Sequence, residues 1–271
     1  MKKLRVIIGL LLAVTIVALT GCGSSASSQK SDSSGTPADI KAIKDRGTLK
    51  VGVKVDVPKF GYKDPKTSKI DGFEIDLAKA VAKKILGDEN KVEFEAVTAK
   101  TRGPLLDSGD VDMIAATFTI TDERKKSYNF SNPYFTDSVG LMVKKSSGIK
   151  DLKGLNGKTI GVAQSATSKQ AIQDAADKVG SKVKFLEFAS YPEIKAALDS
   201  GRVDCFSVDG SILYGYLDNS TEILKERFTP QEYGIASKKG NDALAKTINE
   251  TIDDMKKSGE LDKLIQKWGI K

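Results

Sequence analysis

Two thirteen-residue stretches of this chain are versions of one another. "LLDSGDVDMIAAT" ends at Thr117 and "ALDSGRVDCFSVD" ends at Asp209, so that Leu106 pairs with Leu198 at an offset of 92 residues. Leu-Asp-Ser-Gly alone is common turn chemistry. Here it stands both times between an apolar helical pattern and a Val-Asp strand, which points to two α/β lobes built alike. Open α/β sheets take ligands outside the carboxyl ends of their strands. Thr117 and Asp209, at equivalent strand ends, are therefore expected to look across a cleft at each other.

The rest of the chain from Thr36 follows the same grammar. Thr36-Pro37 reads as an N-cap with proline at the first helical position, and Gly47 ends that helix. "TLKVGVKV" is a strand, and "GFEIDLAKAVAKKILG" is a helix with Phe73, Leu77, Val81 and Ile85 four apart, stopping at Gly87. A short helix, Pro104 to Ser108, separates the strands "KVEFEAV" and "VDMIAAT". The second half gives the strand "TIGVA", a helix from Thr167 to Val179, the strand "KVKFLEF", a helix from Pro192 to Asp199 and the strand "VDCFSV". Two helices, from Asp242 and from Glu260, close the chain and belong with the first lobe. Two crossings, near "DSVGLMVKK" and "TPQEYGIASKK", are expected to join the lobes, assigning 38–140 and 236–271 to one and 141–235 to the other.

Before the first helix lie a basic start, an apolar run from Val6 to Ala18 and "LTGC" ending at Cys22. Residues 1–21 read as a secretion signal, the run being too short for a comfortable membrane span. The tetrapeptide Leu19 to Cys22 resembles the bacterial lipobox, which implies lipidation of Cys22 and cleavage before it. Residues 22–37 then form a tether, with seven serines in the fifteen residues of "GSSASSQKSDSSGTP". Removing Lys2, Lys3 and Arg5 with the leader lowers the formal charge from +7 to +4. That charge is spread along helical faces, so no nucleic-acid partner is expected. The chain has no histidine, which excludes histidine zinc sites and Ser-His-Asp chemistry. Cys205 reads as a buried small hydrophobe. "GLNGKTIG" imitates a phosphate loop, but Leu152 stands where its leading glycine belongs and a strand follows. No metal or cofactor is expected.

The polar residues at strand ends make a constellation. In "TFTITDER", residues 117–124, a strand would put Thr117, Thr119 and Thr121 on one face with Arg124 just beyond. Lys54 ends the first strand and Arg102 opens the helix after "VTAK".

"GFEID", "KTRGPLLDSGDVDMIAATFTITDERKKSYNFSNPYF" and "KAALDSGRVDCFSVDGSILYGY" resemble the extracellular solute-binding proteins, family 3, that serve ABC importers of polar amino acids. The likeness runs from about Ala38 to Trp268 and is greatest to aspartate and glutamate receptors of the Campylobacter PEB1 type. It implies a two-lobed, type II periplasmic-binding-protein-like α/β fold with a two-strand hinge, working as a monomer on the outer face of the cell membrane and delivering ligand to a permease. Residue by residue, it implies that Arg124 grips the ligand's α-carboxylate, with Thr117 and Thr119 as hydroxyl or main-chain partners. Asp209 receives the α-ammonium, Thr167 and Ser168 meet a carboxylate at a helix N-terminus, and Tyr191 and Tyr233 line the pocket. Phe60 and Tyr62 are weaker aromatic candidates. Lys54 and Arg102 remain for the ligand's side chain.

Counting Lys54, Arg102 and Arg124 against Asp209 gives the empty site +2, which suits glutamate or aspartate. If Lys54 or Arg102 turns outward, or pairs with Glu95 or Asp56, that preference falls and glutamine or another polar amino acid takes its place. An enzyme on the same scaffold, of the cyclohexadienyl dehydratase kind, is the alternative from another class. It needs a free general acid or base, whereas the acids assigned to the cleft hold an ammonium.

Overall fold

The computed structural model describes residues 36–270. The expected signal, Cys22 and most of the tether lie outside them. Two sheets carry the fold. The first has the order Val92–Ala96, Leu49–Val53, Met113–Ala115, Ala236–Lys238, Tyr128–Phe130; its first three strands are parallel and Ala236–Lys238 runs antiparallel to both neighbours. The second has the order Lys184–Phe188, Thr159–Ala163, Cys205–Asp209, Phe135–Lys144, Thr221–Ile223, and Phe228–Tyr233 also pairs with Phe135–Lys144.

The repeated sequence does the same work in both lobes. The helices Arg102–Ser108 and Tyr191–Ser200 end at Gly109 and Gly201, whose φ angles of 82° and 78° are left-handed caps. Two residues inside each following turn, the valine is buried, and the aspartate after it ties the turn to the neighbouring strand. Asp112 Oδ2 accepts the Lys50 N–H at 2.8 Å, and Asp204 Oδ2 accepts the Thr159 N–H at 2.8 Å. Met113–Ala115 then runs parallel to Leu49–Val53, as Cys205–Asp209 does to Thr159–Ala163. The internal resemblance is thus one local device, used once per sheet to bring a strand end to the cleft.

Helix Phe73–Leu86 buries Phe73, Leu77, Val81 and Ile85 and stops at Gly87, as its spacing predicts. The terminal helices Asp242–Lys257 and Glu260–Trp268 pack on the first lobe. There Leu244 N–H donates to Asp39 Oδ2 at 2.9 Å, and Trp268 Nε1 donates to Asp76 Oδ2 at 2.8 Å. Among the described residues, no helix is long and apolar enough to cross a membrane.

Two expectations need correcting. The second sheet begins at Phe135, six residues before the expected boundary of 141, and "DSVGLMVKK" lies inside it, paired with Cys205–Asp209. The chain crosses between sheets nearer Ser131–Tyr134 and Tyr233–Ile235, where Ser131 N–H donates to Ile235 O and Tyr134 N–H to Tyr233 O, both at 2.9 Å. Phe60, Phe135 and Tyr233 pack edge-on or tilted there, with ring centroids 5.5 to 6.0 Å apart. The row of threonines is not a strand face either. Thr117 has φ 44°, Thr119 forms an isolated bridge to Tyr233, and Thr121 caps helix Asp122–Ser127 by accepting the Arg124 N–H. A β-branched residue at positive φ is strained, and surrounding contacts must hold it there.

Candidate ligand cleft

Two close backbone approaches build the floor of the cleft. A Cβ on Gly61 would lie 2.4 Å from Lys54 O; one on Gly72, at φ 145°, would lie 2.1 Å from Phe60 O. Glycine is required at both, and the second starts the helix so that Glu74 N–H reaches Phe60 O at 2.9 Å. Glu74 is fully buried. Its Oε1 accepts the Thr117 N–H at 2.6 Å and the Tyr134 hydroxyl, fixing the strained turn from below. Burial lifts its carboxyl to about 7, against the opposing pull of Arg102 and Lys54.

Lys54 is 1% exposed, with Nζ 2.9 Å from Asp56 Oδ1 and 4.5 Å above the Tyr191 ring of the other lobe. Burial lowers its pKa and Asp56 raises it again. Arg102 is buried, and its Nη1 donates to Ala116 O at 2.7 Å and Thr117 O at 3.1 Å. Arg124, half-buried, donates from Nη1 to Thr119 O at 2.7 Å and from Nη2 to Ser165 O of the other lobe at 3.0 Å. Burial, then Arg102, brings its pKa down to about 9. The Phe118 ring packs against both guanidiniums, 4.0 Å from Arg102 Cζ and 4.7 Å from Arg124 Cζ, which holds the two like charges in register.

The second lobe answers with Asp209, Tyr191, Thr167 and Ser168. Asp209 is 5% exposed and accepts the Tyr233 hydroxyl at 2.5 Å. Burial and then the Asp137 charge lift its carboxyl to about 7, while Arg102 and Arg124 act against them from the first lobe. A capping box between Ser190 and Glu193 anchors the helix that begins at Tyr191, and burial pushes the Tyr191 phenol up. Thr167 precedes helix Ser168–Lys178 and donates from Oγ1 to Gln231 Oε1 at 2.6 Å. Glu74 Oε2, Arg102 Nε, Thr117 Oγ1 and Ser168 Oγ are buried without a hydrogen-bond partner. Buried polar atoms cost free energy when unpaired, so this cluster is built to receive a polar guest.

All ten expected site residues, Lys54, Arg102, Thr117, Thr119, Arg124, Thr167, Ser168, Tyr191, Asp209 and Tyr233, lie at the junction of the two lobes. Tyr62 is 38% exposed and pairs along its strand with Asp56 and Asp71. Phe60 serves the aromatic hinge cluster. The expected +2 charge fails, because Asp56 holds Lys54 and Glu74 faces Lys54 and Arg102. Lys54, Arg102 and Arg124 meet the carboxylates of Asp56, Glu74 and Asp209, the last two fully ionised only above about pH 7. Glu74 was missed although its signal is in the sequence: it shares the apolar helix stripe of Ala78, Val81 and Ile85, where an acid has to have partners. Gln231, 1% exposed on the return strand, was also missed.

The sequence model of the bacterial extracellular solute-binding proteins, family 3, matches residues 49–271. The chain is 41% identical over 271 residues to the ABC transporter glutamine-binding protein GlnH of Bacillus subtilis (strain 168), covering 99% of this chain and 97% of that protein. It is 41% identical over 259 residues to the glutamine-binding protein of Geobacillus stearothermophilus, covering 92% and 97%. An ancestral arginine-binding protein bound to arginine shares the fold with a TM-score of 0.74 at 41% identity, covering 82% of this chain and 98% of that one. Both curated relatives are named for glutamine, so the likeness to PEB1-type aspartate and glutamate receptors is not upheld at this level of identity.

Proposed function

Because the chain belongs to the bacterial extracellular solute-binding proteins, family 3, we propose that it is the glutamine-binding component of an ABC importer. It encloses the amino acid between its lobes and presents it to a membrane permease. The observation that carries the ligand assignment is the pairing of Lys54 with Asp56 at 2.9 Å, together with buried Glu74. These acids neutralise the cations that a side-chain carboxylate would need. A second ligand carboxylate would enter a balanced buried cluster uncompensated, at a cost of about 3 kcal/mol or more, roughly a hundredfold in affinity. A neutral amide adds no charge. Arg124 and Asp209 are left for the α-carboxylate and α-ammonium common to all amino acids. The Leu19 to Cys22 motif supports attachment to the outer face of the membrane.

Amino-acid analysis of material released by denaturing the purified protein, followed by titration of the stripped protein, tests this reading. Glutamine is expected in the released fraction and as the tightest titrant. Arginine, glutamate or aspartate in that place would replace the assignment.

The Asp209 carboxyl adds a pH signature. In the closed, empty cleft, burial and then the Asp137 charge raise its pKa to about 7 from an ordinary 3.8, so below that it carries a proton which the ligand ammonium has to displace. Affinity is therefore expected to be flat between about pH 7.5 and 8 and to fall toward tenfold per pH unit below about 6.5. Calorimetry at pH 6 in buffers of different ionisation enthalpy should report close to one proton released per ligand. An affinity independent of pH from 5 to 8 would remove Asp209 as the ammonium partner.

A further inference from the structure

The side chain of Gln231 joins the two lobes. It lies in strand Phe228–Tyr233, opposite Asp137, just past the irregularity between Phe228 and Pro230, where Thr229 has φ 36°. Its Oε1 accepts Thr119 Oγ1 of the first lobe at 2.9 Å and Thr167 Oγ1 of the second at 2.6 Å. Its Nε2 donates to Thr229 O at 2.9 Å. That third contact settles which end of the amide faces the cleft. A carbonyl only accepts, so the NH2 has to point at Thr229 and the oxygen at the two hydroxyls.

We propose that Gln231 is a positioning residue that latches the cleft shut, its amide oxygen tying Thr119 to Thr167 across the lobes. Two consequences follow from the proton directions. Each hydroxyl spends its only proton on Gln231, so both threonines offer the cleft lone pairs alone. They can accept from a ligand ammonium or amide NH2 and cannot donate to a carboxylate, which leaves the carboxylate to Arg124 and main-chain N–H groups. Thr119 is bridged to Tyr233 beside the hinge and Thr167 opens a helix of the second lobe, so the shared oxygen ties the hinge strand to that lobe in the closed arrangement. The parallel tie of Arg124 to Thr119 O and Ser165 O has the same property. Ligand and latch therefore favour the same state, and the latch lowers the ligand's task of shifting the population. The latch deepens the reading of the cleft as an amino-acid site without depending on which amino acid enters.

A double-mutant cycle tests it: Gln231→Leu, Thr167→Val and the pair, titrated with glutamine and followed by stopped-flow dissociation. In the open state the freed hydroxyls reach water, so Gln231→Leu penalises closure selectively. Its expected effect is a tenfold to hundredfold rise in Kd, carried by a faster koff, with the ligand-free melting temperature within about two degrees of native. The double variant should bind no more than about twofold worse than the weaker single one, because both remove the same contact. A Gln231→Leu Kd within twofold of native, losses that multiply in the pair, or a matching loss of ligand-free stability would overturn the latch. If the native protein rejects glutamine, the ligand assignment fails by itself, and the same ratios are read with whichever of arginine, glutamate or aspartate binds.

Discussion

Asp209→Ala is expected to raise the Kd for glutamine by a factor of several hundred while leaving the fold intact. Asp209 comes from the second lobe, lies 5% exposed and feels Arg102 and Arg124 from the first. Its removal leaves the ligand ammonium buried without a counter-charge, and breaking a buried pair on one side costs about 3 to 5 kcal/mol, or roughly 150-fold to 5,000-fold. Asp209→Asn keeps an acceptor for the Tyr233 hydroxyl without the charge, so it should fall between native and alanine. Stability moves the other way. Burial in the closed, empty cleft raises the Asp209 carboxyl to about 7, so above that pH its ionised form opposes that state, since the unfolded chain releases the proton more easily. Ligand-free Asp209→Asn should therefore melt no lower than native at pH 8. Titration calorimetry and a thermal scan read both effects. Native-like glutamine affinity in Asp209→Ala would take the ammonium away from this residue.

Asp56→Asn is expected to change specificity. Lys54 Nζ is held 2.9 Å from Asp56 Oδ1 in a site where Lys54 is 1% exposed. Without the carboxylate the ammonium is buried short of a partner, and ligand-free stability should fall by about 3 kcal/mol. Glutamate can supply the missing charge. The ratio of glutamine to glutamate affinity should move toward glutamate by at least about tenfold, and saturating glutamate should restore more of the melting temperature than saturating glutamine does. An unchanged ratio would mean that Lys54 does not face the ligand's side chain.

The parts of this molecule that were legible beforehand are those set by local rules. Gly47 and Gly87 had to stop their helices, the Val-Asp strands had to lie in equivalent places, and the spacing of Phe73, Leu77, Val81 and Ile85 had to be a buried helix face. The ends of those strands marked the cleft. What the residues do there depends on non-local partners. Thr117 takes φ 44° against the preference of a β-branched residue because Glu74, forty-three positions earlier, accepts its N–H. No strand periodicity could forecast that, so the hydroxyl row dissolved into three separate tasks. The charge count went astray similarly: Glu74 was left out of it, and Asp56 was weighed only as a conditional partner of Lys54. Gln231 sat inside the quoted hinge sequence, but an amide reveals its role only when the two threonines it unites are seen together.

The dissociation constants of glutamine and glutamate at pH 8, where Glu74 and Asp209 are both ionised, test the balanced-charge cleft most directly. Measured on the same stripped protein, glutamine should bind at least tenfold more tightly than glutamate. Equal affinities, or tighter binding of glutamate, would contradict the balance and restore a cleft with positive charge to spare.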